Sequence, residues 1–156
     1  MADKMTLLAA QPFLKGMDRR LLEILAEDCL PADFKEDEHI LEEGGPANRF
    51  YLILEGSVQI ESPLQDGETV PIQTLGAGDL LGWSWLYPPY YWHFDARAIT
   101  PVKALFFYGT HLRERCDEHP ELGYQLMRRV TEVVIHRLQA ARLEWVEHHK
   151  KQHLGQ

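Results

Sequence analysis

The residue pair with the sharpest chemical signature is His93-Phe94-Asp95, an imidazole and a carboxylate two positions apart. On a strand that spacing puts both side chains on one face, as at the start of a two-His-one-carboxylate iron site of the oxygenase type. Such a site needs a third ligand from a later strand, and Val102 to Tyr108 contains no His, while His111 falls near the start of a helical stretch. The simpler reading is an exposed polar pair bridged to Arg97. His136, His148, His149 and His153 lack a Cys or a defined carboxylate partner and read as a solvated tail. Cys29 and Cys116 are too few for a disulfide framework and read as free thiols of a cytoplasmic protein. No Ser-His-Asp arrangement, phosphate-cradling P-loop or Cys-His pair is legible, so no enzyme is expected. What remains is aromatic. Three of the four Trp residues, Trp83, Trp85 and Trp92, crowd one short segment.

The elements that must position these residues follow from periodicity and turn chemistry. Residues 1–29 read as helices. Thr6 and Asp18 are candidate N-caps, Pro12 marks a break, and Leu21, Leu22, Leu25 and Cys29 recur at helical spacing. Residues 30–108 read as short strands: His39–Glu42, Arg49–Glu55, Ser57–Glu61, Thr69–Leu75, Phe94–Thr100 and Val102–Tyr108. Gly44-Gly45-Pro46, Glu55-Gly56, Asp66-Gly67 and Gly76-Ala77-Gly78 separate them, and such glycines supply the positive φ of tight β connections. Many short strands so spaced predict a jelly roll or barrel. Residues 109–149 read as helices, with Thr110 as a cap and Pro120 opening a long helix at its first position. Val130, Val134, Leu138, Ala141 and Trp145 form its apolar stripe, widened by Met127, Val133 and Ile135. Arg128, Arg129, Arg137 and Arg142 read as its polar side, with Glu132, Glu144 and Glu147 as pairing partners.

Composition narrows the function class. The 156 residues suit one domain with a buried core. A formal charge of −8 argues against a dedicated nucleic-acid binder, whose affinity comes largely from cations meeting phosphates. The longest apolar run, Ala104 to Tyr108, is far below the ~20 residues of a membrane helix. The start has no secretory signal pattern. The expectation is one cytoplasmic domain, with no nucleic-acid or membrane partner.

Three motifs in order carry a family resemblance. The first is Ile40-Leu41-Glu42-Glu43-Gly44-Gly45-Pro46-Ala47-Asn48, followed by Tyr51-Leu52-Ile53-Leu54-Glu55-Gly56-Ser57-Val58. The second is Leu75-Gly76-Ala77-Gly78-Asp79-Leu80-Leu81-Gly82, and the third runs from Arg97 to Leu105. Together they resemble the cyclic nucleotide-binding domain superfamily, of catabolite-activator and kinase regulatory-subunit type. The resemblance implies a mainly β fold with flanking helices: a jelly-roll β-barrel, N-terminal helices and a long C-terminal helix. It also implies a regulatory module with a small-molecule effector, a homodimer through the C-terminal helix and an output protein that the sequence does not name. Activators of this kind carry a helix-turn-helix after the long helix, and the seven residues beyond His149 leave no room for one, so none is expected.

The cassette departs from the family pattern. Members that bind nucleotide carry a Glu after the cassette glycine and an Arg ten positions after that glycine, which clamps the cyclic phosphate with help from backbone N–H groups. Aligned on Gly82, those positions hold Trp83 and Trp92, with Ser84-Trp85-Leu86-Tyr87-Pro88-Pro89-Tyr90-Tyr91 between them. A hydrogen bond to a charged group contributes ~1.5–3 kcal/mol, so losing two costs about two to four decades of affinity. A cyclic nucleotide cofactor is implied by the resemblance, and tight binding of one is not expected. In the family register Trp92, Phe94, Ala96 and Ala98 face inward, and His93, Asp95 and Arg97 outward. Gly82, Trp83, Ser84, Trp85, Leu86, Trp92, His93 and Phe94 are then the candidate ligand-binding residues. Trp83, Trp85, Trp92 and Phe94 around Ser84 suit an aromatic or apolar effector, and a stacked base could gain ~1–3 kcal/mol. The opposing expectation is that these aromatics plug the barrel and leave an interaction scaffold. Arg97 and Lys103 are the candidates for a substitute phosphate clamp.

Overall fold

A computed structural model describes residues 3–86 and 88–154, apart from the side chains of Leu86, His153 and Leu154. Helix α1 (Lys4–Ala9), a 3-10 turn at Pro12–Leu14 and α2 (Arg19–Glu27) precede eight strands. These are β1 (Cys29–Phe34), β2 (His39–Leu41), β3 (Arg49–Glu55), β4 (Val58–Pro63), β5 (Thr69–Leu75), β6 (Leu80–Leu81), β7 (Asp95–Ala98) and β8 (Val102–Tyr108). Helices α3 (Gly109–Glu118) and α4 (Pro120–Leu154) follow.

The strands form two four-stranded antiparallel sheets, in the orders β1-β8-β3-β6 and β2-β7-β4-β5. The fold is mainly β with flanking helices. Tyr51, Ile53, Val58, Ile60, Ala96, Ala98, Val102 and Ala104 fill the space between the sheets. The alternate residues of β3 and β8, Phe50, Leu52, Leu105 and Phe107, face the helices and pack with Leu21, Leu25, Leu112, Leu122, Leu126 and Val130. Both faces of β3 are therefore covered, which explains its unbroken apolar run Phe50 to Leu54.

Several local readings change. Asp18 caps α2, accepting from the Arg20 N–H at 3.0 Å. Thr6 caps nothing: its own N–H donates to Asp3, which caps α1. Helix α3 begins at Gly109 after Tyr108 with no side-chain cap, so Thr110 lies inside it. Pro120 does open α4, which runs on to Leu154. The strands β1 and β6 were not expected. The first carries Pro31 and pairs on one side only, where a missing N–H is tolerated.

The expected pairing along α4 does not form. Among the described residues Arg128, Arg129, Arg137 and Arg142 make no ion pair with Glu132, Glu144 or Glu147. Arg129 instead donates to the Lys15 carbonyl at 3.0 Å, tying α4 to the N-terminal turn. Leu122, Leu126 and Val130 are buried, but Leu138, Leu143 and Trp145 are about two-thirds exposed. The first half of α4 covers the domain, and the second half leaves it.

Candidate ligand-binding site

The segment from Gly82 to Phe94 sends Trp92, Trp85 and the pair Trp83 and Phe94 to three places. Gly82, buried with φ +91°, lets the chain pass directly under Trp92: a Cβ there would come 2.9 Å from the indole. Trp92 is 2 % exposed and fills the barrel interior with Leu81, Ala96 and Ala98. Its Nε1 is buried without a hydrogen-bond partner among the described residues, and the Arg49 guanidinium lies 5.9 Å from its ring. Arg49 is itself engaged by Tyr51, Asn48 and the Ile40 carbonyl.

Trp85 goes the other way. It stacks on Phe50 at 5.1 Å, and Phe50 on Phe107 at 4.5 Å, in the core that faces the helices. Expected to line one cavity with Trp83 and Trp92, it lies instead in this helix-facing core, against which Trp83 also packs. Ser84 is buried in the same 3-10 turn, while His93 is exposed. Leu86 is described only as backbone of that turn, and Tyr87 lies outside the described residues.

Trp83 and Phe94 are both half-buried, with ring centroids 6.2 Å apart. They form one wall of a cavity of about 300 Å³ whose other walls are Ile60, Ile72 and Gln73 of the sheet and Val134, Arg137, Leu138 and Ala141 of α4. The lining is predominantly apolar, with Arg137 and Glu144 at its edges. Arg137 places its guanidinium 5.1 Å over the Trp83 ring and donates to the Leu80 carbonyl. Burial lowers its pKa from the usual arginine value, partly opposed by Asp79. The α4 contribution to this cavity is what sequence reasoning missed. The signal was there: Arg137 sits one residue before Leu138, on the edge of the apolar stripe.

The substitute clamps lie elsewhere. Arg97 projects from the outer face of β7, bound to the buried carboxylate of Glu61 at 2.9 Å and to Asp37 at 2.8 Å. Those contacts raise its pKa, with the Glu61 hydrogen bond as the main cause. Lys103 is exposed on β8. The H-x-D pair also separates. Asp95 accepts from the Glu43 N–H at 2.7 Å and lies with His39 and Glu61, the potential ligand atoms of all three falling within 4.8 Å of one another. His93 is not in that group. Arg97 of β7 and Gln59 of β4 already occupy Glu61, tying those two strands together.

Residues 31–119 match the family model described as the cyclic nucleotide-binding domain. A CRP-like cAMP-activated global transcriptional regulator of Mycobacterium tuberculosis is 28% identical over 122 residues, 78% of this chain and 54% of the relative. The chain thus spans about half the length of the curated relatives it matches. A solved structure of a putative cyclic nucleotide-binding protein from Geobacter metallireducens superposes with a TM-score of 0.77 at 28% identity. It covers 88% of this chain and 99% of that one. A cyclic nucleotide-binding domain from Methylobacillus flagellatus gives 0.78 over 93% of this chain and 82% of the other, and at 16% identity that likeness concerns the fold. No helix among the described residues is long and apolar enough to cross a membrane. With the two sheets, the order of elements and the matched segment in agreement, the chain belongs to the cyclic nucleotide-binding domain family.

Proposed function

We propose that this chain is a sensory and regulatory module that binds a small effector with a flat apolar body and passes its state through α4. The observation that carries this reading is the cavity between Trp83, Phe94 and the Val134–Ala141 turn of α4. A ligand there touches the sheet and the helix together, so occupancy changes how α4 is held. The family of regulators to which the M. tuberculosis relative belongs supports a regulatory rather than catalytic role.

Cyclic AMP or cyclic GMP is not the expected effector. Aligned on Gly82 without a gap, Trp92 stands at the position of the phosphate-clamping Arg and Trp83 at that of the ribose-binding Glu. The reading includes a homodimer. Tyr124, Met127, Thr131, Val134, Leu138, Ala141 and Trp145 alternate at spacings of three and four along α4, and all but Val134 are exposed. That is the seam of a two-helix coiled coil. Arg137 falls beside this seam rather than in it. Two free thiols fit a reducing cytoplasm.

Calorimetry with both cyclic nucleotides and native mass spectrometry of the purified chain test the proposal. The expected result is no saturable micromolar nucleotide binding and a co-purified or displaceable small molecule. Micromolar binding of either nucleotide overturns it. Silence in both assays favours the second reading, a scaffold whose barrel is plugged; the burial of Trp92 against Gly82 is the observation on that side.

A further inference from the structure

Arg137 lines two adjoining cavities. One is the apolar cavity beneath Trp83 and Phe94. The other, about 490 Å³, lies between α4, the Pro12 turn and the β5–β6 connection, and is lined by Gln73, Asp79, Arg129, Glu132, His136 and Arg137 among others. Gln73 and Arg137 form the shared wall.

The two arginines of the second cavity are eight residues apart on α4, about 80° apart around the helix and about 12 Å along it, and both line the cavity. Neither has a carboxylate within 4.0 Å among the described residues. Arg129 donates through Nη1 to the carbonyls of Phe13 and Lys15, and its Nε is buried with no partner among the described residues. Arg137 has five N–H donors and spends one on the Leu80 carbonyl. The acidic groups facing the cavity stand off: Asp79 accepts from the Gly76 N–H at 2.8 Å, and Glu132 is exposed. His136 is exposed at the rim.

A partly desolvated guanidinium whose nearby carboxylate, Asp79, acts on it without forming an ion pair is incompletely neutralised, and an entering anion relieves it. The apolar cavity beside it accepts a ring. We infer that the effector is a small aromatic carboxylate, with its ring against Trp83 and Phe94 and its carboxylate on Arg137, backed by Arg129. This rests on the effector-binding reading above and adds the charge of the ligand to it. The anion-binding cation then lies on α4 instead of in the cassette. The carboxylate competes with the Leu80 carbonyl and the Trp83 face for the same guanidinium, so binding acts on the contact that pins α4 to β6.

The test uses two probes with one ring and different charge, indole-3-acetate and indole-3-acetamide, titrated calorimetrically into the full chain. The acetate is expected to bind at least tenfold more tightly than the amide. Arg137→Gln removes that preference by weakening the acetate alone, and Arg137→Lys restores part of it. Trp83→Ala weakens both probes. Thermal melting of each variant confirms folding, and Arg129→Gln provides a second variant, expected to reduce the acetate preference partially. Equal affinity of the two probes, or a preference that survives in Arg137→Gln, overturns the anion assignment and leaves the effector reading standing. Binding of neither probe overturns both.

Discussion

Trp92 and Trp83 share a side chain and a segment, yet their surroundings give them different work. Trp92 is enclosed between the sheets over a glycine that leaves no room for a methyl group. Trp83 is half-buried, with one face under Arg137 and an open cavity beside it. Removing a buried indole costs about 3–5 kcal/mol, so Trp92→Ala is expected to lower the unfolding free energy by that amount in urea titrations. Trp83→Ala should change it by about 1 kcal/mol or less while weakening effector binding. Only part of this division was legible in the sequence. The alternation Trp92, Ala96, Ala98 follows from strand period two, and those residues do face the interior. The placement of Trp85 does not follow. Residues 84–86 form a 3-10 turn, where positions two apart diverge by about 240° instead of pointing the same way. Trp85 thereby enters the core that faces the helices, while Trp83, just before the turn, packs against the edge of that core and walls the cavity.

At the scale of elements, the strands with clean alternation or continuous apolar runs, β3, β5 and β8, have the bounds that their sequence predicts. β1 was hidden because Pro31 and the exposed Asp33 read as a connection, and only pairing with β8 makes it a strand. Its first residue, Cys29, is fully buried, and burial pushes the thiol up to about 11. In the unfolded chain the thiol ionises near 9.0. Between those values the folded chain holds a proton that the unfolded chain has lost, so stability falls as pH rises through this window. Cys116, likewise raised to about 11 by burial, acts with the same sign. Chemical denaturation from pH 8 to 11 should show a steeper alkaline decline for the wild type than for Cys29→Ala, although the variant starts from lower stability. At pH 8 both thiols should react slowly with alkylating reagents until the chain unfolds.

At the scale of the molecule, the governing fact is where α4 parts from the domain. Val130 is its last fully buried residue, Arg137 its last described hydrogen bond to the sheets, and the rest extends about 25 Å at the usual rise. Replacing Leu138 and Trp145 together by Asp should leave the melting temperature of the β-barrel nearly unchanged and convert a dimer to a monomer in sedimentation. An unchanged sedimentation coefficient would remove the coiled-coil reading.

The effector cavity takes part of its lining from Leu138 and Ala141, residues that also lie on the proposed seam. A second copy laid along that seam would finish the wall that one chain leaves open. Effector and partner chain then become reciprocal ligands: whatever factor the small molecule adds to self-association, self-association must add to its affinity. The abundance of the protein in its compartment would thereby set the concentration of effector to which it responds.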